Sequence, residues 1–118
     1  MNFEAVRKIA LSLDNVTEGT SYGTPAFFVR RALLARWRPD LEALVLRVDF
    51  ERRAAMMAED PETYYITDHY LNYEWVLARL GRVTPQAMAD LLRMAWKAAG
   101  ARKATSRPKR ASIKRSAS

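Results

Sequence analysis

Chemistry near neutral pH has one evident carrier in this chain. His69, its only histidine, lies in the run Tyr64-Tyr65-Ile66-Thr67-Asp68-His69-Tyr70-Leu71-Asn72-Tyr73-Glu74-Trp75. An imidazole changes charge near neutrality and so suits general acid–base work. The same run holds four of the five tyrosines and one of the three tryptophans. Side chains that are apolar along the body and polar at the tip either close a small core or form a contact surface. Asp68 adjoins His69 in sequence, which does not make the two face each other, and no motif positions a second catalytic group. A loop histidine beside an aspartate in an Asx-turn accounts for the same residues. The chain has no cysteine, which excludes disulfides, thiolate metal sites and cysteine nucleophiles. One histidine without clustered carboxylates does not make a metal site. Ser12, Ser21 and Ser106 stand in no nucleophile-elbow context. Gly19 and Gly23 lack the Lys-Ser/Thr ending of a phosphate loop. A non-enzyme with no catalytic residue, metal or cofactor is expected.

The second kind of chemistry is anion binding. The sequence has 118 residues, a net charge of +7 and a pI near 10.1. Residues 101–118 hold seven of the 20 basic residues (Arg102, Lys103, Arg107, Lys109, Arg110, Lys114 and Arg115) and none of the 13 acids. That leaves 13 of each sign in residues 1–100, so the excess belongs entirely to the tail. Seven charges on a flexible segment attract polyanions without sequence preference. A solubilising extension is the competing reading. Within residues 1–100 the basic residues are eleven arginines and only two lysines, Lys8 and Lys97. Arginine suits bidentate phosphate and base contacts. Arg30 and Arg31 at a hairpin tip, with Arg36, Arg38 and Arg47 nearby, form the candidate nucleic-acid surface, where phosphate contacts come first. A solvated sheet face paired with Asp40, Glu42 and Asp49 competes with that reading. Tyr65 and Trp75 are able to stack bases, but a domain this size needs aromatics in its core. Trp75 and Trp96 are expected there. Tyr70 and Tyr73, beside the loop, are expected at the surface and with His69 form a possible contact or ligand surface.

These residues need elements to position them. Phe3, Val6, Ile9, Ala10 and Leu13 recur at helical spacing, so residues 3–13 read as an amphipathic helix, with Asn15 as the exit. Residues 14–25 are dense in turn formers and read as a loop. Residues 26–30, 33–38 and 43–48 read as three strands of an antiparallel meander, turning near Arg30-Arg31 and Pro39-Asp40. Arg36 and Arg38 then share one face, with Ala35 and Trp37 on the other. Asp49 can cap a second helix, with Phe50, Ala54 and Met57 on one face and Pro61 ending it. Residues 63–67 and 73–80 read as two more strands. Thr84 as N-cap, Pro85 at the first helical position and Val83 stapled to Met88 open a last helix. Its stripe of Met88, Leu91, Leu92, Ala95, Trp96 and Ala99 runs to residue 99, with Gly100 as the C-terminal cap residue. Residues 101–118 lack the apolar content for a packed structure and read as a disordered basic tail. Charges within the first eight residues argue against a signal peptide, and no run approaches a membrane span, so a cytoplasmic protein is expected.

The runs Tyr22-Gly23-Thr24-Pro25-Ala26-Phe27, Asp60-Pro61-Glu62-Thr63, Thr67-Asp68-His69-Tyr70 and Trp75-Val76-Leu77-Ala78-Arg79-Leu80 together resemble the MmcQ/YjbR family. The segment Leu91-Leu92-Arg93-Met94-Ala95-Trp96 is similar to its last helix, and the match covers roughly residues 3–100. The resemblance implies an α+β domain of secretion-chaperone-like or frataxin-like shape, and DNA binding through a double wing of hairpins. Frataxin-like iron binding does not carry over. It wants an acidic ridge on the first helix, where this sequence has Glu4 and Asp14 offset by Arg7 and Lys8.

The expected architecture is α+β in two layers, a five-stranded antiparallel sheet with helices on one face in the order α-β-β-β-α-β-β-α. It comprises one domain over residues 1–100, followed by the tail. The leading functional reading is a DNA-binding accessory protein that contacts phosphates through the arginine-rich hairpins and the tail. A chaperone-like module for a protein or peptide, with DNA affinity confined to the tail, is the alternative. A small-molecule binder with a pocket around Tyr64, His69 and Tyr73 is the third. A contiguous cavity beside His69 discriminates for the last.

Overall fold

A computed structural model describes residues 1–105, the last five by backbone alone. Helix α1 (Phe3–Leu11) starts where the Asn2 side chain accepts from the Ala5 amide at 3.0 Å, and the chain leaves it through Asn15 at φ 64°. Strands β1 (Val16–Ser21), β2 (Thr24–Val29), β3 (Ala32–Arg38) and β4 (Ala43–Arg47) follow as an antiparallel meander. Helix α2 (Phe50–Glu59) is capped by Asp49, whose side chain accepts from the Arg52 amide at 2.7 Å. The short strand β5 (Tyr64–Tyr65), a 3₁₀ turn at Asp68–Tyr70 and strand β6 (Trp75–Arg79) lead into helix α3 (Pro85–Thr105). Among the described residues no helix is long and apolar enough to cross a membrane.

The fold is α+β, but its open antiparallel sheet has six strands in the order β1-β2-β3-β4-β6-β5, not five. The added strand is β1, in the segment read as a loop. Thr17, Glu18, Thr20 and Ser21 show no apolar alternation because β1 is an edge strand with little to bury. All six of its residues pair with β2, from Val16↔Val29 to Ser21↔Thr24. The neighbouring strand, not local propensity, makes it β. The strands after α2 are shorter than their apolar runs, because β5 pairs only through Tyr64 and Tyr65 and Leu80–Arg82 forms a 3₁₀ turn.

One sheet face carries the main core. Phe27, Leu34, Leu44, Leu46 and Val76 meet Val6 of α1 and Met88, Leu92 and Ala95 of α3. Burying a side chain such as Phe27 contributes about 1.5–3 kcal/mol, and its ring stacks on Phe3, which stacks in turn on Trp37. Thr84 Oγ1 accepts from the Ala87 amide at 3.1 Å, and Val83 and Met88 are both buried, so the cap and the staple form as expected. The end of α3 differs. It passes through Gly100, expected as its cap, and reaches Thr105. An exposed helical glycine costs about 1 kcal/mol, but Ala101, Arg102, Lys103 and Ala104 favour helix and carry it on. Residues 106–118 lie outside the described residues.

Candidate functional site

The face opposite the helices is built from arginines and aromatics. The β2–β3 register passes from Phe27↔Ala35 to Phe28↔Leu33 and leaves Leu34 as a bulge. Leu34 and Ala35 are consequently both buried against the helices, while Leu33 joins Arg36 on the outer face. Across from them, Arg36 pairs with Val45 and Arg38 with Ala43, and on β6 Leu77 sits opposite Val45. Tyr70 lies over this patch. It was expected at the surface but is 6% exposed, packed with Ala43, Val45 and Leu77 in a second small core. The burial is possible because its hydroxyl has a partner: Arg38 Nη1 donates to it at 2.9 Å.

The segment that delivers Tyr70 contains little regular structure, so its carbonyls need donors from elsewhere. Arg53 of α2 supplies them. Its Nη1 donates to the carbonyl oxygens of Tyr70 at 3.1 Å, Tyr73 at 2.7 Å and Trp75 at 3.1 Å, and its Nη2 to Leu71 at 3.1 Å. Of the residues expected along one face of α2, Phe50 and Ala54 are exposed and Met57 packs against the main core beside Met56, while Arg53 is 8% exposed. The inward side of this helix therefore combines two methionines with a guanidinium.

The arginines on the strands are similarly engaged. Arg36 Nε donates to the Ser21 carbonyl at 3.0 Å and to Thr24 Oγ1 at 3.1 Å, and its guanidinium lies 4.9 Å from the Tyr22 ring centre. Arg38 grips Asp40 with Nε–Oδ1 at 3.0 Å and Nη2–Oδ2 at 2.7 Å, which holds the Asp40 carboxyl below its ordinary range. Arg47 donates to the Leu33 carbonyl at 2.8 Å and lies over Trp75 at 4.7 Å. Arg79 donates to the Glu62 carbonyl and covers the Tyr65 ring at 4.0 Å. Of the competing acids, Asp40 alone takes up an arginine of this face in an ion pair among the described residues.

Arg30 and Arg31 stand apart. They form the two-residue turn between Val29 and Ala32, at φ 50° and 76°, both exposed and with no partner among the described residues. Since Val16 pairs with Val29, β1 starts at this end of the sheet. Trp96 of α3 donates through Nε1 to the Asp14 carbonyl, just before β1, at 2.9 Å. The C-terminal part of α3 thus runs toward the Arg30–Arg31 end. The side chains of Arg102 and Lys103, and all of Arg107, Lys109, Arg110, Lys114 and Arg115, lie outside what is described.

Under the 66–74 segment a cavity of about 300 Å³ opens on the outer face. Leu33 and Val45 form its floor, Tyr22, Tyr73 and Trp75 contribute rings, and Arg36, His69 and Tyr70 supply polar groups. His69 is exposed, meets the Tyr70 ring edge-on at 4.9 Å and makes no hydrogen bond among the described residues. Tyr73 is exposed as expected, while Trp75 and Trp96 are half-buried at core margins. Tyr64 is not part of this cavity but packs against the main core. The contribution of Tyr22 was not legible, because it depends on β1 being a strand. No group of three or more potential metal-ligating side chains clusters among the described residues.

Comparison with known proteins agrees with this architecture. No curated protein matches the sequence. Among solved structures the chain is similar to Deinococcus radiodurans protein DR2400, described by the family-model domain DUF419. The TM-score is 0.70 and the identity 19%, over 99% of this chain and 95% of that one. At that identity the likeness concerns the fold. The family model YjbR matches residues 11–98, most of the described domain from the end of α1 to the last turns of α3. The chain belongs to the YjbR family.

Proposed function

We propose that the protein binds nucleic acid without catalysing a reaction, and that the folded domain makes its contact through the Arg30–Arg31 turn. The conformation of that turn carries the reading. Two-residue hairpin turns with positive φ at both positions favour Asn-Gly. Arg30 and Arg31 occupy them at φ 50° and 76° with no contact that offsets the strain. Exposed, unpaired and adjacent guanidiniums suit phosphate oxygens. Membership of the YjbR family, to which double-wing DNA binding is attributed, supports the same reading. Arg36, Arg38 and Arg47 are left out of the contact, since Arg38 and Arg47 donate to groups within the domain and Arg36 is held by its Nε at the wall of the outer-face cavity. The basic tail adds charge that is not sequence-selective.

Replacing the turn, Arg30→Asn with Arg31→Gly, tests this in the full chain. The expected outcome is opposite movement of two quantities. Thermal stability rises by several degrees because the turn relaxes. Affinity for duplex DNA falls, and the slope of log affinity against log salt becomes shallower by about two. A more stable variant that binds duplex DNA as tightly as the parent would sink the proposal.

A further inference from the structure

From the cavity beside His69 we infer a binding site for a small planar aromatic anion. This inference is independent of the nucleic-acid reading. The volume, about 300 Å³, is at the low end for ligand cavities and suits one ring system. Its floor is apolar, from Leu33 and Val45, and the rings of Tyr73 and Trp75 line it, Trp75 with one face covered by Arg47, so a planar ring can stack beside them.

The charge of the ligand follows from Arg36. Arg7 and Arg38 have carboxylate partners, whereas Arg36 has none among the described residues. Only its Nε is well satisfied. Its Nη1 stands 3.5 Å from the Tyr70 hydroxyl, beyond ordinary hydrogen-bond length, in a half-buried position. A guanidinium with spare donors and no carboxylate in direct contact among the described residues, at the wall of an apolar cavity, favours a bidentate anion. The unbonded imidazole of His69 is placed to meet a polar substituent on the ring. A free aromatic carboxylate and the base and phosphate of a mononucleotide share this chemistry.

The test is a two-dimensional amide and indole NMR titration of the full chain with 4-hydroxybenzoate, its neutral analogue 4-hydroxybenzamide, and guanosine monophosphate. We expect saturable shifts confined to residues around Tyr22, Arg36, His69–Tyr73 and the Trp75 indole. At least one anion should bind with a Kd on the order of 1 mM or tighter, and the tighter of the two anions identifies the source. Arg36→Gln should weaken that anion ~10-fold and leave the amide unchanged. Tyr73→Ala, at an exposed position, should weaken every bound probe several-fold without disturbing the fold. The inference is overturned if neither anion gives saturable shifts, or if the shifts map elsewhere. It is equally overturned if Arg36→Gln binds the anion as well as the parent or, should that variant not fold, if Tyr73→Ala does.

Discussion

Arg53 shows how far a single side chain can determine local shape. Four carbonyls of the 70–75 segment converge on its two terminal nitrogens. Without them that segment has no comparable donor to hold it over the outer face. Arg53→Met keeps much of the stem's packing but leaves those carbonyls unpaired. Bonds to a charged donor contribute about 1.5–3 kcal/mol each and are not additive. The expected loss is about 3–4 kcal/mol in urea denaturation, with faster amide exchange across residues 70–75. Arg53→Lys should recover less than half, since one ammonium cannot span the fork. A loss below ~1 kcal/mol for Arg53→Met would show that the segment is held by other means. The spacing of Phe50, Ala54 and Met57 puts Arg53 rather than Arg52 on their face, but nothing local in the sequence shows that its guanidinium has the 70–75 carbonyls as partners. The arginine-rich composition suggested an external anion. Yet Arg7, Arg36, Arg38, Arg47, Arg53 and Arg79 all donate to groups within the domain. Tyr70 was misplaced for the same reason: its burial depends on the hydroxyl finding Arg38, a partner from a distant strand.

At the scale of elements, the start of α3 and the meander were legible because their signals are local: a cap, a first-turn proline, alternation. Strand β1 was not, because its evidence lies in β2 and in α1. Glu18 of β1 accepts from Arg7 of α1, with Nε–Oε1 at 2.8 Å and Nη2–Oε2 at 3.0 Å, and Arg7 also binds Glu4. The hydrogen bonds from Arg7 hold the Glu18 carboxyl below its ordinary value of 4.5. Because the folded form releases this proton more readily, the stabilisation is complete above the ordinary value. It drains as pH falls through the lower folded value. The pair is partly exposed, so the effect is modest. Glu18→Gln should melt a few degrees below the parent at pH 7, and the gap should close on acidification below 4.5. Thermal melts of both proteins between neutral pH and pH 3 decide it. A gap that stays constant with pH would mean that packing of β1, rather than the ion pair, ties it to α1.

Across the whole molecule, charge and shape are divided between different parts of the chain. Residues 1–100 carry 13 basic and 13 acidic residues, a balance readable directly from the sequence, so this part of the chain has no net charge to draw in a polyanion. What the sequence alone did not contain was the direction of α3, which brings its C-terminal part to the same end as the unpaired Arg30–Arg31 turn. That arrangement separates a polyelectrolyte contribution from a folded one. Ending the chain at Thr105 keeps all of α3 and removes five charges, those of Arg107, Lys109, Arg110, Lys114 and Arg115. If every removed charge met a phosphate, the salt slope on duplex DNA would become shallower by about 4.5. The shortened chain should retain a slope of about −2 to −4, from Arg30 and Arg31 with Arg102 and Lys103. Adding Arg30→Asn with Arg31→Gly to it should remove about two more. Fluorescence anisotropy with one duplex over a series of salt concentrations measures all three slopes. If the shortened chain shows no binding even at low salt, attraction to the tail is the whole of the DNA affinity.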